Sequence, residues 1–183
     1  VMLASQAVAT GDSDVVVAGG MENMSLGPYL LAKARTGFRM GNGALEDGMI
    51  KDGLWDPYEN AHMGSFADLC ARDRGFSREE QDAFATESYQ RAQRAQKEGD
   101  LADEIVPVSV PLPKGKEQVV DKDEEPGRVK FDKIASLKPA FGKEGTVTAA
   151  NASSINDGAA AVVVTTPEKA NELGATPLCK IVG

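Results

Sequence analysis

Apolar positions along this chain gather into a few short runs, separated by long stretches rich in glycine, proline and charge. Near the start, Leu3, Ala7 and Val8 share one face at helical spacing, and Gly11 stands where a left-handed cap belongs. The pattern predicts a helix over the first nine or so residues. Nothing stands before Val1 to cap that helix, so it is expected to be the second half of a longer one. Val15-Val16-Val17-Ala18, closed by Gly19-Gly20, predicts a strand buried on both faces, as in a parallel sheet. Ala159 to Thr165 predicts a second strand of the same kind. Between them, Ser77-Arg78-Glu79-Glu80 has the form of a capping box. Phe84, Ser88, Ala92 and Ala95 then mark one face of a helix that Gly99 stops. Glu104 to Val110 alternates like a half-exposed strand, whereas 114–128 is charged, contains Pro126-Gly127 and predicts a solvated loop. Thr166-Pro167-Glu168 predicts a helix start and Gly174 its end. Leu178 to Val182 has the look of a strand just begun, and both ends of the chain read as cuts inside elements.

The expected organisation is therefore α/β, with two core pieces flanking a long excursion: 1–25, then 26–145, then a return over 146–183. Long excursions from such a core commonly carry function. Composition narrows the class of function. The 183 residues are 42% hydrophobic and 26% charged, ordinary for a globular protein. Twenty basic against 28 acidic residues give a net charge of −8, which repels phosphate backbones and anionic lipid surfaces, so no nucleic-acid or membrane partner is expected. No apolar run approaches the roughly 20 residues of a membrane-spanning helix. Cys70 and Cys179 lie far apart without a Cys-x-x-Cys motif, which argues against a metal framework and for a reducing compartment. A single histidine, His62, rules out a site built on two imidazoles from this chain.

Several strings then stand out together, in order: Val17-Ala18-Gly19-Gly20-Met21-Glu22-Asn23-Met24-Ser25, Lys51-Asp52-Gly53-Leu54, His62-Met63-Gly64, Gly145-Thr146-Val147-Thr148-Ala149-Ala150-Asn151-Ala152-Ser153 and Asn156-Asp157-Gly158-Ala159-Ala160. Their order and spacing resemble the thiolases across essentially the whole chain. With Arg128-Val129-Lys130-Phe131, they look closest to the potassium-responsive acetoacetyl-CoA thiolases of mitochondrial type.

The resemblance implies a partial thiolase fold in αβαβα layers, with a large loop domain inserted into the N-terminal half. It implies Claisen chemistry on coenzyme A thioesters: condensation of two acetyl-CoA to acetoacetyl-CoA, or the reverse thiolysis. One cysteine would carry the acyl group and a second would act as acid and base, assisted by a histidine and oxyanion holes. Neither Cys70 nor Cys179 matches those positions. The nucleophile would precede Val1, and the other catalytic groups would follow Gly183. No catalytic residue is expected within the chain, and the chain alone is expected to be inactive.

What the resemblance leaves here is the coenzyme A side of the site. It places Leu54, His62, Met63 and Ser153 along the pantetheine arm, with the Ser153 hydroxyl on a pantetheine amide. It places Arg128, Val129, Lys130 and Lys133 at the adenine and 3′-phosphate, with Lys130 where the family carries an acid. It places Tyr89 at both coenzyme A and a potassium ion, with the carbonyls of Ala149, Ala150 and Ala152 completing the ion's donors. From the residues alone, His62 also reads as a structural histidine, 128–133 as a solvated charged loop, and Tyr89 as helix packing. No covalently held cofactor is expected. The expected partners are acetyl-CoA or acetoacetyl-CoA and further copies of the chain, as a homotetramer or homodimer. The segment 26–51 matches the region of tetramer contacts. The compartment would be the cytoplasm or the mitochondrial matrix. Two alternatives stay open: a non-catalytic coenzyme A-binding or oligomerisation fragment, and a thiolase for longer 3-ketoacyl chains, against which the His-Met-Gly string favours the short-chain branch.

Overall fold

In the computed structural model, which describes residues 1–182, α1 (Met2–Ala9) ends at Thr10, and Gly11 takes the left-handed conformation at φ 77° that its place requires. β1 (Val15–Asn23) leads through a short 3-10 turn to β2 (Tyr29–Leu31), which pairs with β3 (Leu45–Asp47). A π-helical turn over Ile50–Leu54 precedes β4 (Trp55–Asp56) and β5 (Ala61–His62), a two-residue ladder. α2 (Met63–Arg74) is capped by His62 and ends at Gly75, φ 73°, with Arg72 and Arg74 facing the negative end of its dipole. α3 (Arg78–Glu98) opens on the Ser77–Glu80 capping box and ends at left-handed Gly99. The hairpin β6 (Val108–Leu112) and β7 (Lys116–Val120) follows. Two single turns come next, α4 (Glu125–Arg128) and α5 (Phe131–Ile134), then β8 (Asp157–Thr165) and α6 (Pro167–Glu172), capped by Thr166.

The chain divides into two compact units, 1–49 with 155–183, and 50–154. In the first unit β1 and β8 pair antiparallel from Val15↔Thr165 to Asn23↔Asp157, and α1 packs against both strands. Its buried apolar residues are Ala4, Val164 and Ala170. The Asp157 carboxylate closes the far end by accepting the Ser25 N–H at 2.9 Å. In the second unit the buried residues are Gly64, Ala71, Ala85, Pro126, Ile134, Val147, Thr148 and Ala150. There Gln93 and Gln96 of α3 donate to the carbonyls of Pro126 and Asp123, fastening the approach to α4.

The α/β class holds, and several expectations of detail do not. The strands are antiparallel, and their cover is partial: Val16 and Ala18 of β1 are half-buried and Val164 of β8 is buried, while Val17 is 71% and Val163 66% exposed. A helix over a two-stranded ladder shields only alternate side chains. The stretch expected as a solvated loop contains β7 and α4, because Val119 and Val120 pair back onto Ser109 and Val108. The strand expected from Glu104 begins only at Val108, and α2, absent from the hydrophobic pattern, is a full 12-residue helix. Residues 178–182 form no strand. The chain passes from one compact unit to the other at 49/50 and at 154/155. β2 ties 29–31 to 45–47 in the first unit, and side chains of α2 and α3 hold 146–151 in the second.

Candidate coenzyme A site

The loop 145–153 is shaped by side chains from two helices. Asp68, on α2, accepts from the N–H groups of both Thr146 and Val147, at 2.8 and 2.9 Å, through one carboxylate oxygen. Its carboxylate lies so close to Gly145 that a Cβ there would collide with it. Gln81, on α3, donates to the Thr146 hydroxyl at 2.9 Å. Asp82 accepts from the Asn151 side chain at 3.1 Å, and the same Asn151 amide reaches the Thr146 carbonyl, also at 3.1 Å. The Asn151 carbonyl oxygen in turn accepts the Thr148 N–H at 2.7 Å, and Thr148 is fully buried. Buried polar groups this completely paired specify one loop conformation.

That loop forms one wall of an open groove of about 790 Å³, within the usual range for small-molecule sites. α3 also lines it, through Glu80, Gln81, Phe84, Ala85, Ser88 and Tyr89. Of the residues expected at the site, Tyr89, Ala150, Ala152 and Ser153 line this groove together. Ala150 is buried, Tyr89 and Ala152 are half-buried, and Ser153 and the neighbouring Ala149 are exposed.

The other expected residues lie outside that lining. His62 caps α2: its Nδ1 accepts the Gly64 N–H at 2.9 Å, so the neutral ring carries its proton on Nε2. The ring stacks on Phe141, centroids 4.6 Å apart, and Gly64 leaves room for Phe141 because a Cβ there would overlap it. Met63 is the first, exposed residue of α2, and half-buried Leu54 ends the π-helical turn. Arg128 and Val129 stand at the end of α4, and Lys130 precedes α5. Arg128 is paired with Glu124 and Lys133 lies 3.6 Å from Asp132, both pairs exposed, so these cations already have acidic neighbours. Cys70 and Cys179 are exposed free thiols, and neither lines the groove. Among the described residues no cluster of three or more histidine, cysteine or acidic side chains could hold a metal ion.

Comparison with known families matches residues 1–168 to the description "Thiolase, N-terminal domain". The chain belongs to the thiolase family. An acetyl-CoA acetyltransferase of Cupriavidus necator is 54% identical over 183 residues, covering 99% of this chain and 46% of that protein. One of Allochromatium vinosum is 49% identical over 183 residues, covering 100% and 46%. A probable acetyl-CoA acyltransferase of Staphylococcus aureus is 50% identical over 184 residues, covering 100% and 47%. The chain thus spans about half the length of the curated relatives it matches.

Within this thiolase chain, sequence reasoning missed Asp68, Gln81 and Asp82, the side chains that hold the groove's loop wall, and Arg78, which reaches the carbonyls of 134 and 137. On α3 the signal was present only as spacing: Arg78, Gln81, Asp82 and Ala85 fall on one helical face, which becomes legible once the partners at 134–137 and 146–151 are known. No helix among the described residues is long and apolar enough to cross a membrane.

Proposed function

We propose that these residues form the coenzyme A side of an acetyl-CoA C-acetyltransferase, which joins two acetyl-CoA into acetoacetyl-CoA or runs the thiolysis in reverse. The observation that carries this reading is the groove lined by Tyr89 of α3 and by Ser153 of a loop fixed by Asp68 and Asp82, in a chain about half identical to bacterial acetyl-CoA acetyltransferases. In this reading the pantetheine arm lies along the groove, with the Ser153 hydroxyl on one of its amides, and Leu54, His62 and Met63 line its channel. His62 is held in the tautomer that keeps Nε2–H as a donor. Arg128, Val129, Lys130 and Lys133 take the adenine and phosphate end, supplying local positive charge on a chain of net charge −8. Neither cysteine takes the acyl group, and the 183-residue polypeptide by itself binds coenzyme A without turnover.

A potassium ion fits the same region on donor chemistry. The Tyr89 hydroxyl and the carbonyls of Ala149, Ala150 and Ala152 are neutral oxygens suited to a hard monovalent cation, and three of these four residues line the one groove. Bound there, the ion would stiffen the loop wall. The segment 26–51 carries the contacts of a homotetramer, supported by the exposure of Tyr29, Leu31 and Met40. The cytoplasm is the compartment that the bacterial relatives support, and they lend nothing to a mitochondrial one.

The test is turnover by the full-length protein of acetoacetyl-CoA against a long-chain 3-ketoacyl-CoA, with and without potassium. Preference for the short substrate and stimulation by potassium over sodium support the reading. Preference for the long chain moves the protein to the degradative branch, the reading that the "acyltransferase" name of the Staphylococcus aureus relative favours. No turnover of either leaves a non-catalytic coenzyme A-binding fragment.

A further inference from the structure

The groove's loop wall and the segment after α5 share a single anchor. Arg78 Nε donates to Asp82 Oδ2 at 2.7 Å, and its Nη2 donates to the carbonyls of Ile134 and Leu137, each at 3.0 Å. The other oxygen of Asp82, Oδ1, accepts from Asn151. The two side chains are only 20% and 13% exposed. One guanidinium–carboxylate pair therefore joins three stretches of chain: the start of α3, the carbonyls at 134 and 137, and the loop that lines the groove.

Helix stability does not account for a cation at this place. Arg78 is the first residue of α3, at the positive end of the dipole, where acids such as the neighbouring Glu79 and Glu80 are favoured. A mostly buried ion pair also adds little net stability over apolar residues of the same volume; what it supplies is a fixed geometry. Arg78 spreads these bonds over two nitrogens held in one plane, Nε to the carboxylate and Nη2 to both carbonyls, a separation that the single nitrogen of an ammonium does not reproduce.

We propose that Arg78 is a positioning residue that sets the spacing between the nucleotide end and the pantetheine end of the bound thioester. This rests on the reading of the groove and of 128–133 as the coenzyme A site. A ligand that spans both ends depends on that spacing, while one confined to the groove does not.

The experiment uses the full-length protein, with wild type, Arg78→Lys and Arg78→Gln assayed on acetoacetyl-CoA and on acetoacetyl-pantetheine, which lacks the nucleotide. For Arg78→Lys the expected result is a KM for the coenzyme A thioester raised about 10-fold with kcat little changed, and an unchanged kcat/KM for the pantetheine thioester. Arg78→Gln shifts in the same direction and further; should it fail to fold, Arg78→Lys carries the test. A variant that is merely unstable lowers kcat on both substrates equally, and that outcome, or no loss on either, overturns the inference. If wild type shows no preference for the coenzyme A thioester, the nucleotide contact at 128–133 is wrong and the inference falls with it. If wild type turns over neither substrate, the proposed function itself fails.

Discussion

Gly64 is the second residue of α2, where a change to alanine would ordinarily gain up to about 1 kcal/mol of helix propensity. Here the Phe141 ring occupies the place of the new Cβ, so Gly64→Ala should instead destabilise by about 1–3 kcal/mol and disturb the His62 stack. Chemical denaturation of the full-length protein checks the sign, and a stabilised variant would show that Phe141 moves aside freely. The His-Met-Gly string was legible in the sequence, but the reason for its glycine was not, since Phe141 lies far along the chain. Asp68 gave no signal at all. Removing its carboxylate in Asp68→Ala leaves the Thr146 and Val147 N–H groups unpaired, at about 1–3 kcal/mol each. Loss of coenzyme A affinity should accompany the loss of stability, measured by calorimetry. Lys169 offers a pH test. The hydrogen bond that Lys169 Nζ donates to Glu172, and then the Glu172 charge, hold the ammonium above its ordinary 10.5. The contribution is complete below pH 10.5 and is lost as pH rises through the higher folded value. An NMR titration of the Lys169 side chain in wild type and Glu172→Gln should show the midpoint fall in the variant.

At the scale of the element, caps were the most readable feature. Ser77 and Glu80, Gly99, Thr166 and Gly174 all stand where the sequence put them, because a cap is set by neighbours three or four residues away. Ser77→Ala should cost about 0.5–2 kcal/mol in thermal or chemical unfolding, and Glu80→Ala part of that, with the pair sub-additive. The inward face of α3 was misread for an equally physical reason. Phe84, expected on the buried face, is 81% exposed at the groove, while Ala85 is buried. Ala92 and Ala95 of the expected face are half-buried, as are the polar Arg78, Gln81, Asp82, Gln93 and Gln96. Those five polar side chains find partners within 123–151, and a hydrophobicity pattern cannot mark a face held partly by hydrogen bonds rather than by apolar area. The short β6–β7 pairing escaped for the related reason that charge predicts exposure, not the absence of a ladder.

Over the whole molecule the net charge of −8 opposes an anionic thioester, and any attraction must come from a local patch. If 128–133 is that patch, Arg128→Gln and Lys130→Gln should each raise the KM for acetoacetyl-CoA severalfold at low ionic strength, the gap narrowing as salt screens the interaction. Steady-state kinetics at two salt concentrations checks this, and a salt-independent KM would remove the patch from the site. The α/β class and the long excursion could be read from the order of elements. The division into compact units at 49/50 and 154/155 depends on which unit claims 26–49 and 146–154. Those segments are assigned by the β2–β3 ladder and by Asp68, Gln81 and Asp82, which are pairings rather than patterns.

The antiparallel ladder of β1 and β8 also sets a timetable. Its strands are separated by the whole second unit, and the Ser25–Asp157 bond spans 132 residues of chain. During synthesis at about 5–20 residues per second, Val15 to Ala18 therefore leaves the ribosome about 7–30 seconds before its partner strand does. In that interval the second unit, continuous in sequence, is free to fold first. The first unit meanwhile displays an unpaired β-branched edge, the kind of template that recruits neighbouring nascent chains. Its yield in a cell should then depend on translation speed and on holdase chaperones more than on the stability of the finished ladder.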